Sequence, residues 1–185
     1  MQIVGGVHKG ARLAAPKGQA TRPTSARTRE AVFNILAHGI EGFSFEGTRV
    51  LDLFAGTGAL GLEAISRGSR FCLFVDDQAD ARALIRQNVE TLGLTGHTKV
   101  FKRDATNLGP IQSLKPFDLV FLDPPYGKGL GEKALLSLRD GGWLIQGAII
   151  VLEERHDVEV QQPDHFEILD QRRHGEAQTI IFKYN

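Results

Sequence analysis

From residue 49 onward, short apolar runs alternate with longer amphipathic stretches, and this rhythm limits the fold more than any other feature of the chain. A run that is apolar at every position needs cover on both faces, which parallel strands receive from crossover helices. Strands are expected at 49–54, 70–75, 98–102, 117–122 and 148–153, each rich in β-branched or aromatic residues. Helices should fill the gaps. The 78–92 stretch places Ala79, Ala83, Ile85 and Val89 near helical spacing, with Gly93 positioned to end it, and 60–67 forms a second crossover ending at Gly68. Segments 166–169 and 179–184 read as a closing antiparallel hairpin, with Arg172, Arg173, His174 and Gly175 as its turn. The expected architecture is an open α/β sheet.

Residues 1–48 obey different rules. Gly5, Gly6, Gly10, Pro16, Gly18 and Pro23 break regular structure, so a small hairpin and a loop are expected. Thr24 or Ser25 can then cap a helix running to about His38, with Val32, Phe33, Ile35 and Leu36 on its apolar face. The chain thus divides into an N-terminal extension, 1–48, and a main domain, 49–185.

The formal charges cancel over the whole chain but not along it. Residues 1–30 carry Lys9, Arg12, Lys17, Arg22, Arg27 and Arg29 against Glu30 alone, and the rest is correspondingly acidic. A basic docking segment on a neutral-to-acidic body would show this asymmetry, because phosphates need cations only where their backbone lies; an exposed leader that merely collects charge would show it too. Cys72, the only cysteine, lies in an apolar run, which excludes a disulfide framework and a thiol-metal cluster. His8, His38, His97, His156, His165 and His174 lack metal-ligand spacing, so no metal is expected. Trp143 is expected in the core. The first residues lack the regions of a secretory signal, and no apolar run is long enough to cross a bilayer; a cytoplasmic protein is expected.

After the first core strand comes Asp52-Leu53-Phe54-Ala55-Gly56-Thr57-Gly58-Ala59-Leu60-Gly61. Glycines at this spacing let the backbone turn sharply and approach a ligand at a helix start. The acid ahead of the turn disfavours an anionic ligand and favours a cationic one, and S-adenosylmethionine offers both an amine and a sulfonium. The second strand ends in Val75-Asp76-Asp77, which places Asp76 to accept ribose hydroxyls, with Asp77 read as a surface charge. The third ends in Asp104-Ala105, where the acid can accept from an adenine amine and the next N–H can donate to the ring; Asp104 as a helix cap is the competing reading.

Asp123-Pro124-Pro125-Tyr126 comes directly after the fourth strand. The prolines have fixed φ angles and no N–H, so this corner presents acceptors in a rigid arrangement. An exocyclic amine on a nucleobase has two N–H donors and a lone pair delocalised into the ring. Asp123 and the Pro124 carbonyl can hold both hydrogens and turn the lone pair toward the methyl donor. Tyr126 is expected to stack on an extruded base.

Together these motifs resemble a class I S-adenosylmethionine methyltransferase of the amino-alkylating kind. The start of the chain, Gln2-Ile3-Val4-Gly5-Gly6, Lys9-Gly10 and Arg22-Pro23-Thr24 followed by Arg27 and Arg29-Glu30-Ala31-Val32-Phe33-Asn34-Ile35-Leu36, is similar to the RsmD family of bacterial 16S rRNA guanine-N2 methyltransferases. The resemblance implies a Rossmann-like class I methyltransferase fold: a seven-stranded, mostly parallel sheet with one antiparallel strand and helices on both faces. It implies methylation of the N2 amine of a guanine (the 966 class) in 16S rRNA, within an assembled or partly assembled small ribosomal subunit. Asp52, Phe54, Gly56, Thr57, Gly58, Asp76, Asp104 and Ala105 would line the cofactor site, and Asp123, Pro124, Pro125 and Tyr126 the base pocket. Lys9, Arg12, Arg22, Arg27 and Arg29 would contact RNA. Two positions depart from the family's pattern: Asp76 stands where Glu is usual, and His174-Gly175 where a Tyr-Gly pair is usual, which leaves the role of His174 open.

Other readings use some of the same residues. An adenine-N6 DNA or protein-glutamine methyltransferase also needs an amine held by a prolyl turn, but those families generally place Asn where this chain has Asp123. A nicotinamide oxidoreductase would share the glycine spacing and leave Asp52 and the prolyl corner unexplained. A catalytically idle RNA-binding factor would have no need of the intact set of acids.

Overall fold

The computed structural model describes residues 1–16 and 26–185. In chain order the elements are α1 (Ala26–His38), β1 (Arg49–Leu53), α2 (Ala59–Ser66), β2 (Phe71–Val75), α3 (Ala79–Thr91), β3 (Thr98–Phe101), β4 (Phe117–Leu122), α4 (Leu130–Asp140), β5 (Leu144–Arg155), β6 (Phe166–His174) and β7 (Ala177–Tyr184). The strands form one sheet in the order β3-β2-β1-β4-β5-β7-β6. Pairs among β1 to β5 are parallel, whereas β7 runs antiparallel to both β5 and β6. The expected α/β fold, with seven strands and one of them reversed, is the one observed.

The continuous apolar runs are explained by two cores, one on each sheet face. On one side Val50, Phe74, Phe121, Val151 and Ile181 pack with Leu62 of α2, Ile85 of α3 and Phe33 and Leu36 of α1. On the other, Leu51, Val120, Ile150 and Phe182 pack with Leu135 and Leu138 of α4 and with Trp143. Removing such a side chain from water stabilises the fold by about 1.5–3 kcal/mol. Cys72 and Trp143 are both fully buried, and the Trp143 indole N–H donates to the Gly109 carbonyl at 2.7 Å.

Several boundaries differ from expectation. Strand β5 extends well beyond 148–153 at both ends, and Phe54 leaves β1 for the turn with φ 56°. Arg172 and Arg173 are strand residues of β6, because the β6–β7 loop is only Gly175 and Glu176, with His174 pairing Ala177. Pairing along β7 continues the ladder through residues whose polar sequence alone reads as a turn.

The N-terminal residues do form a hairpin, though one closed by a single bridge between Gln2 and Arg12. Ile3 N–H donates to the Ala11 carbonyl at 3.0 Å, and Gly10 N–H to the Ile3 carbonyl at 2.8 Å. It docks on the end of α2: Val7 N–H donates to the Ser66 carbonyl (2.8 Å) and the Ser66 hydroxyl to the Gly5 carbonyl (2.6 Å). A Cβ on Gly6 would lie 1.8 Å from the Ser66 carbonyl oxygen, so only glycine permits this approach. Ile3, Leu13 and the α1 face belong to the same core as the sheet. The expected capping residues Thr24 and Ser25 lie outside the described residues.

Candidate active site

Parallel strands point their carboxyl ends to one edge, and in an open α/β sheet the ligand crevice lies there. All the acids singled out from sequence come to this edge. The segments after β1 (Phe54 to Gly58), β2 (Asp76), β3 (Asp104) and β4 (Asp123) are brought together by the order β3-β2-β1-β4.

The glycine turn is built by hydrogen bonds from its own backbone to acids. Gly61 N–H donates to Asp52 Oδ2 at 3.0 Å, and Gly56 N–H to Asp76 Oδ2 at 2.9 Å. Gly56 and Gly58 take φ 57° and 78°, the left-handed region that glycine enters without steric cost. Gly61 serves packing: a Cβ there would meet Cys72 Sγ and the Phe74 ring at 2.5 Å, so α2 lies hard against β2 only because the side chain is missing. A Cβ on Gly56 would meet nothing closer than the Phe54 carbonyl oxygen at 3.9 Å, so the space in front of the turn is open.

Asp52 is fully buried and holds the start of α2. Burial lifts its carboxyl well above the ordinary value, against the lowering effect of the Gly61 N–H, and Asp123 and Asp76 add like-charge repulsion. A cation in the crevice would relieve that repulsion. Asp76 accepts from Gly56 N–H with one oxygen and from Gln78 N–H (2.9 Å) with the other. Each carboxylate oxygen has a second lone pair for a hydroxyl. Asp77 is exposed, as expected of a surface charge.

Asp104 is exposed and accepts from both the N–H (2.8 Å) and the hydroxyl (2.7 Å) of Thr106. Those two bonds lower its carboxyl, which therefore presents a stable anion to the crevice. The segment after β3 is a turn and not a helix, so the helix-cap reading does not hold. Ala105 is buried in the α4-side core. Acids at the ends of β2 and β3, an open glycine turn and a buried acid supply acceptors and backbone N–H groups of the kind an adenosyl ligand with a cationic end requires.

The prolyl corner is held differently. Pro124 is buried and Pro125 exposed. The Tyr126 hydroxyl donates to Glu153 Oε1, and Gly127 N–H to Glu154 Oε1 at 2.9 Å. Burial and then Glu153 push the Tyr126 hydroxyl far above its ordinary range, so it remains a proton donor. The expected stacking role of Tyr126 must therefore operate with the ring already tethered to β5.

Glu153 and Glu154 escaped the sequence reading, although a pair of acids closing the apolar run of β5 repeats the Asp76-Asp77 pattern that was singled out. Asn88, buried on α3, also escaped it. Its side chain accepts from Ala14 N–H (2.7 Å) and donates to the carbonyls of Ala14 (3.1 Å) and Thr57 (2.9 Å). It thereby ties the N-terminal segment to the glycine turn, and a lone Asn in an amphipathic helix gave no signal of this.

Of the basic residues expected at RNA, Lys9, Arg12 and Arg27 are all exposed, and Arg22 lies outside the described residues. Arg29 is a correction. It is 1% exposed, donates to the Gln2 carbonyl, and lies 3.8 Å from Glu63, which also pairs with Arg67 at 2.9 Å. The (i, i+3, i+4) spacing that puts Arg29 beside Val32 and Phe33 turns it into the core, where it pins the hairpin to α2. Among the described residues no group of three His, Cys, Asp or Glu is arranged to hold a metal ion, and no helix is long and apolar enough to cross a membrane.

Comparison with known proteins identifies the family and the fold. The family described as Conserved hypothetical protein 95 matches residues 1–183. The YlbH protein of Bacillus subtilis is 40% identical over 166 residues, 89% of this chain and 86% of its own length. Ribosomal RNA small subunit methyltransferase D of Escherichia coli is 38% identical over 154 residues, 83% of this chain and 74% of its own. The solved structure of the Escherichia coli yhhF protein superposes with a TM-score of 0.84 at 30% identity, covering 100% of this chain and 98% of that one. The chain belongs to the Conserved hypothetical protein 95 family, that of the small-subunit rRNA methyltransferase D proteins, and has their class I methyltransferase fold.

Proposed function

We propose that this protein transfers a methyl group from S-adenosylmethionine to the exocyclic N2 amine of one guanine in 16S rRNA, acting on an assembled or partly assembled small ribosomal subunit in the cytoplasm. The observation that carries the reading is the adjacency of β1 and β4. Leu53 pairs Leu122, so the glycine turn after the one and the Asp123-Pro124-Pro125-Tyr126 corner after the other leave the sheet side by side at the same edge, which supports a shared crevice. The name of the Escherichia coli relative supports the rRNA part.

Bound S-adenosylmethionine supplies an electrophilic methyl on a sulfonium. The turn backbone and Asp52 would face its amino-acid end, Asp76 its ribose and Asp104 with Ala105 N–H its adenine. Asp123 accepts one amine hydrogen and the Pro124 carbonyl the other, which pyramidalises the nitrogen and aims its lone pair along the line of transfer. The new N–CH₃ bond would form as the S–CH₃ bond breaks with its electron pair left on sulfur as a neutral thioether, and the displaced amine proton leaves on the Asp123 side. The prolines supply no competing N–H. Positioning of this kind accounts for much of the barrier reduction in transfer to a weak nucleophile.

Lys9, Arg12, Arg22 and Arg27 would engage phosphates. Val32 of α1 shares a cleft with Glu153 of β5, which brings the leader to the base corner. The test is to incubate the protein with labelled methyl donor and naked rRNA, small subunits, DNA or protein, and to map the label. Label on a guanine N2 of small-subunit RNA is expected, and label confined to DNA or protein overturns the substrate.

A further inference from the structure

Beside the prolyl corner, the sheet holds a row of polar side chains on the face covered by α1. Leu122 pairs Leu152, so the next residues, Asp123 and Glu153, stand side by side, and Glu153 pairs Thr179 of β7. Phe121, Val151 and Ile181, one pleat step below, belong to the core on the α1 side. With a period of two, Asp123, Glu153 and Thr179 share that face. A small cleft is floored by Phe121 and Val151, roofed by Val32 of α1 and Leu60 of α2, and rimmed by Glu153 and Thr179. Thr179 is 3% exposed, yet its hydroxyl has no hydrogen-bond partner among the described residues. The space beside that hydroxyl admits no more than a water molecule, so Thr179 lies behind the row, whereas Asp123 and Glu153 are only half-buried and can be reached from the crevice.

We propose that Glu153 is the specificity-determining residue for the base, accepting the guanine N1–H while Asp123 holds the N2 amine. This rests on the guanine-N2 reading above. The adjacency of β4 and β5 puts two carboxylates side by side, in the order that the N2 and N1 donors of guanine need. Adenine presents a lone pair at N1, which a carboxylate repels. Tyr126 is a positioning residue in this scheme: its hydroxyl donates to Glu153 Oε1 and holds the carboxylate at the corner.

The test places 2-aminopurine at the mapped target in a small-subunit substrate. This base retains the 2-amino nucleophile but has a lone pair at N1 and no O6. The unaltered protein should methylate it with kcat/KM lower than for guanine by about a hundredfold or more, since a site built for a hydrogen bond rejects a partner lacking it. Glu153→Gln, whose amide can donate to N1, should narrow that ratio at least about tenfold, mainly by losing rate on guanine. Equal rates on the two bases in the unaltered protein overturn the role of Glu153, as does a Glu153→Gln ratio that stays put. Absence of label on any RNA guanine is a different result: it removes the guanine reading itself, and this inference with it.

Discussion

The two halves of the crevice are held by different means. On the cofactor side, around β1 to β3, acids grip backbone N–H groups, most of them close by in sequence: Asp52 to Gly61, Asp76 to Gln78 and Asp104 to Thr106, with only Asp76 reaching farther, to Gly56 20 residues back. On the substrate side, around β4, β5 and β7, the corner is held by side chains 27 residues away, Tyr126 to Glu153 and Gly127 to Glu154. A ligand common to many proteins can be met by a local turn, whereas a particular base needs groups gathered from several strands. The cofactor half should therefore tolerate change in the substrate half, and the reverse.

The sharpest break of that independence is Asp123→Ala. It should lower kcat by about a thousandfold or more while leaving methyl-donor affinity within a few-fold, because it removes an acceptor aligned in the transition state. Isothermal titration and single-turnover rates read the two quantities separately; a matching loss of donor affinity would mean the halves are coupled.

Next in size is Arg29→Ala, expected to cost about 3–5 kcal/mol in denaturant unfolding, since it leaves Glu63 buried with one cation fewer and loosens the hairpin. Arg27→Ala on the exposed side of the same helix should leave unfolding unchanged and weaken RNA binding, with a salt slope shallower by about one. If the two variants behave alike, the assignment of buried and exposed arginines is wrong.

Gly61→Ala should destabilise by about 1–3 kcal/mol through overpacking against Cys72 and Phe74, with donor affinity falling only as far as the turn is displaced. Thermal unfolding with and without donor distinguishes these effects.

The smallest change, Asp52→Asn, has an instructive sign. Burial raises the Asp52 carboxyl above its ordinary 3.8, so the folded chain holds that proton more tightly than the unfolded one. The contribution to stability is full below the ordinary value and is lost as pH rises through the raised one. The amide can still accept from Gly61 N–H. Stability at pH 7 should therefore hold or rise, with a flatter pH profile, while donor affinity falls about tenfold with loss of the charge. A variant less stable at pH 7 than at pH 4, like its parent, would show that Asp52 is not the group responsible.

Much of this was legible in one dimension. The apolar runs announced strands covered on both faces, Gly93 and Gly68 marked helix ends, and the acids at strand ends announced the edge. The misreadings share a cause. Arg29 and Arg27 are two residues apart and chemically identical, and only the packing of α1 sends one into the core and the other to solvent. Arg172 and Arg173 have the composition of a turn, and the ladder with β7 makes them strand.

By itself, the order of residues determined the doubly covered sheet, the glycine turn and the stiff prolyl corner, because each depends on interactions within a few positions: periodicity, left-handed backbone, missing N–H groups. Only the tertiary structure decided that Glu153 stands between Asp123 and Thr179 and that Asn88 joins the leader to the turn. Those contacts span tens of residues, and strand register, a property of the whole sheet, chooses which side chains meet.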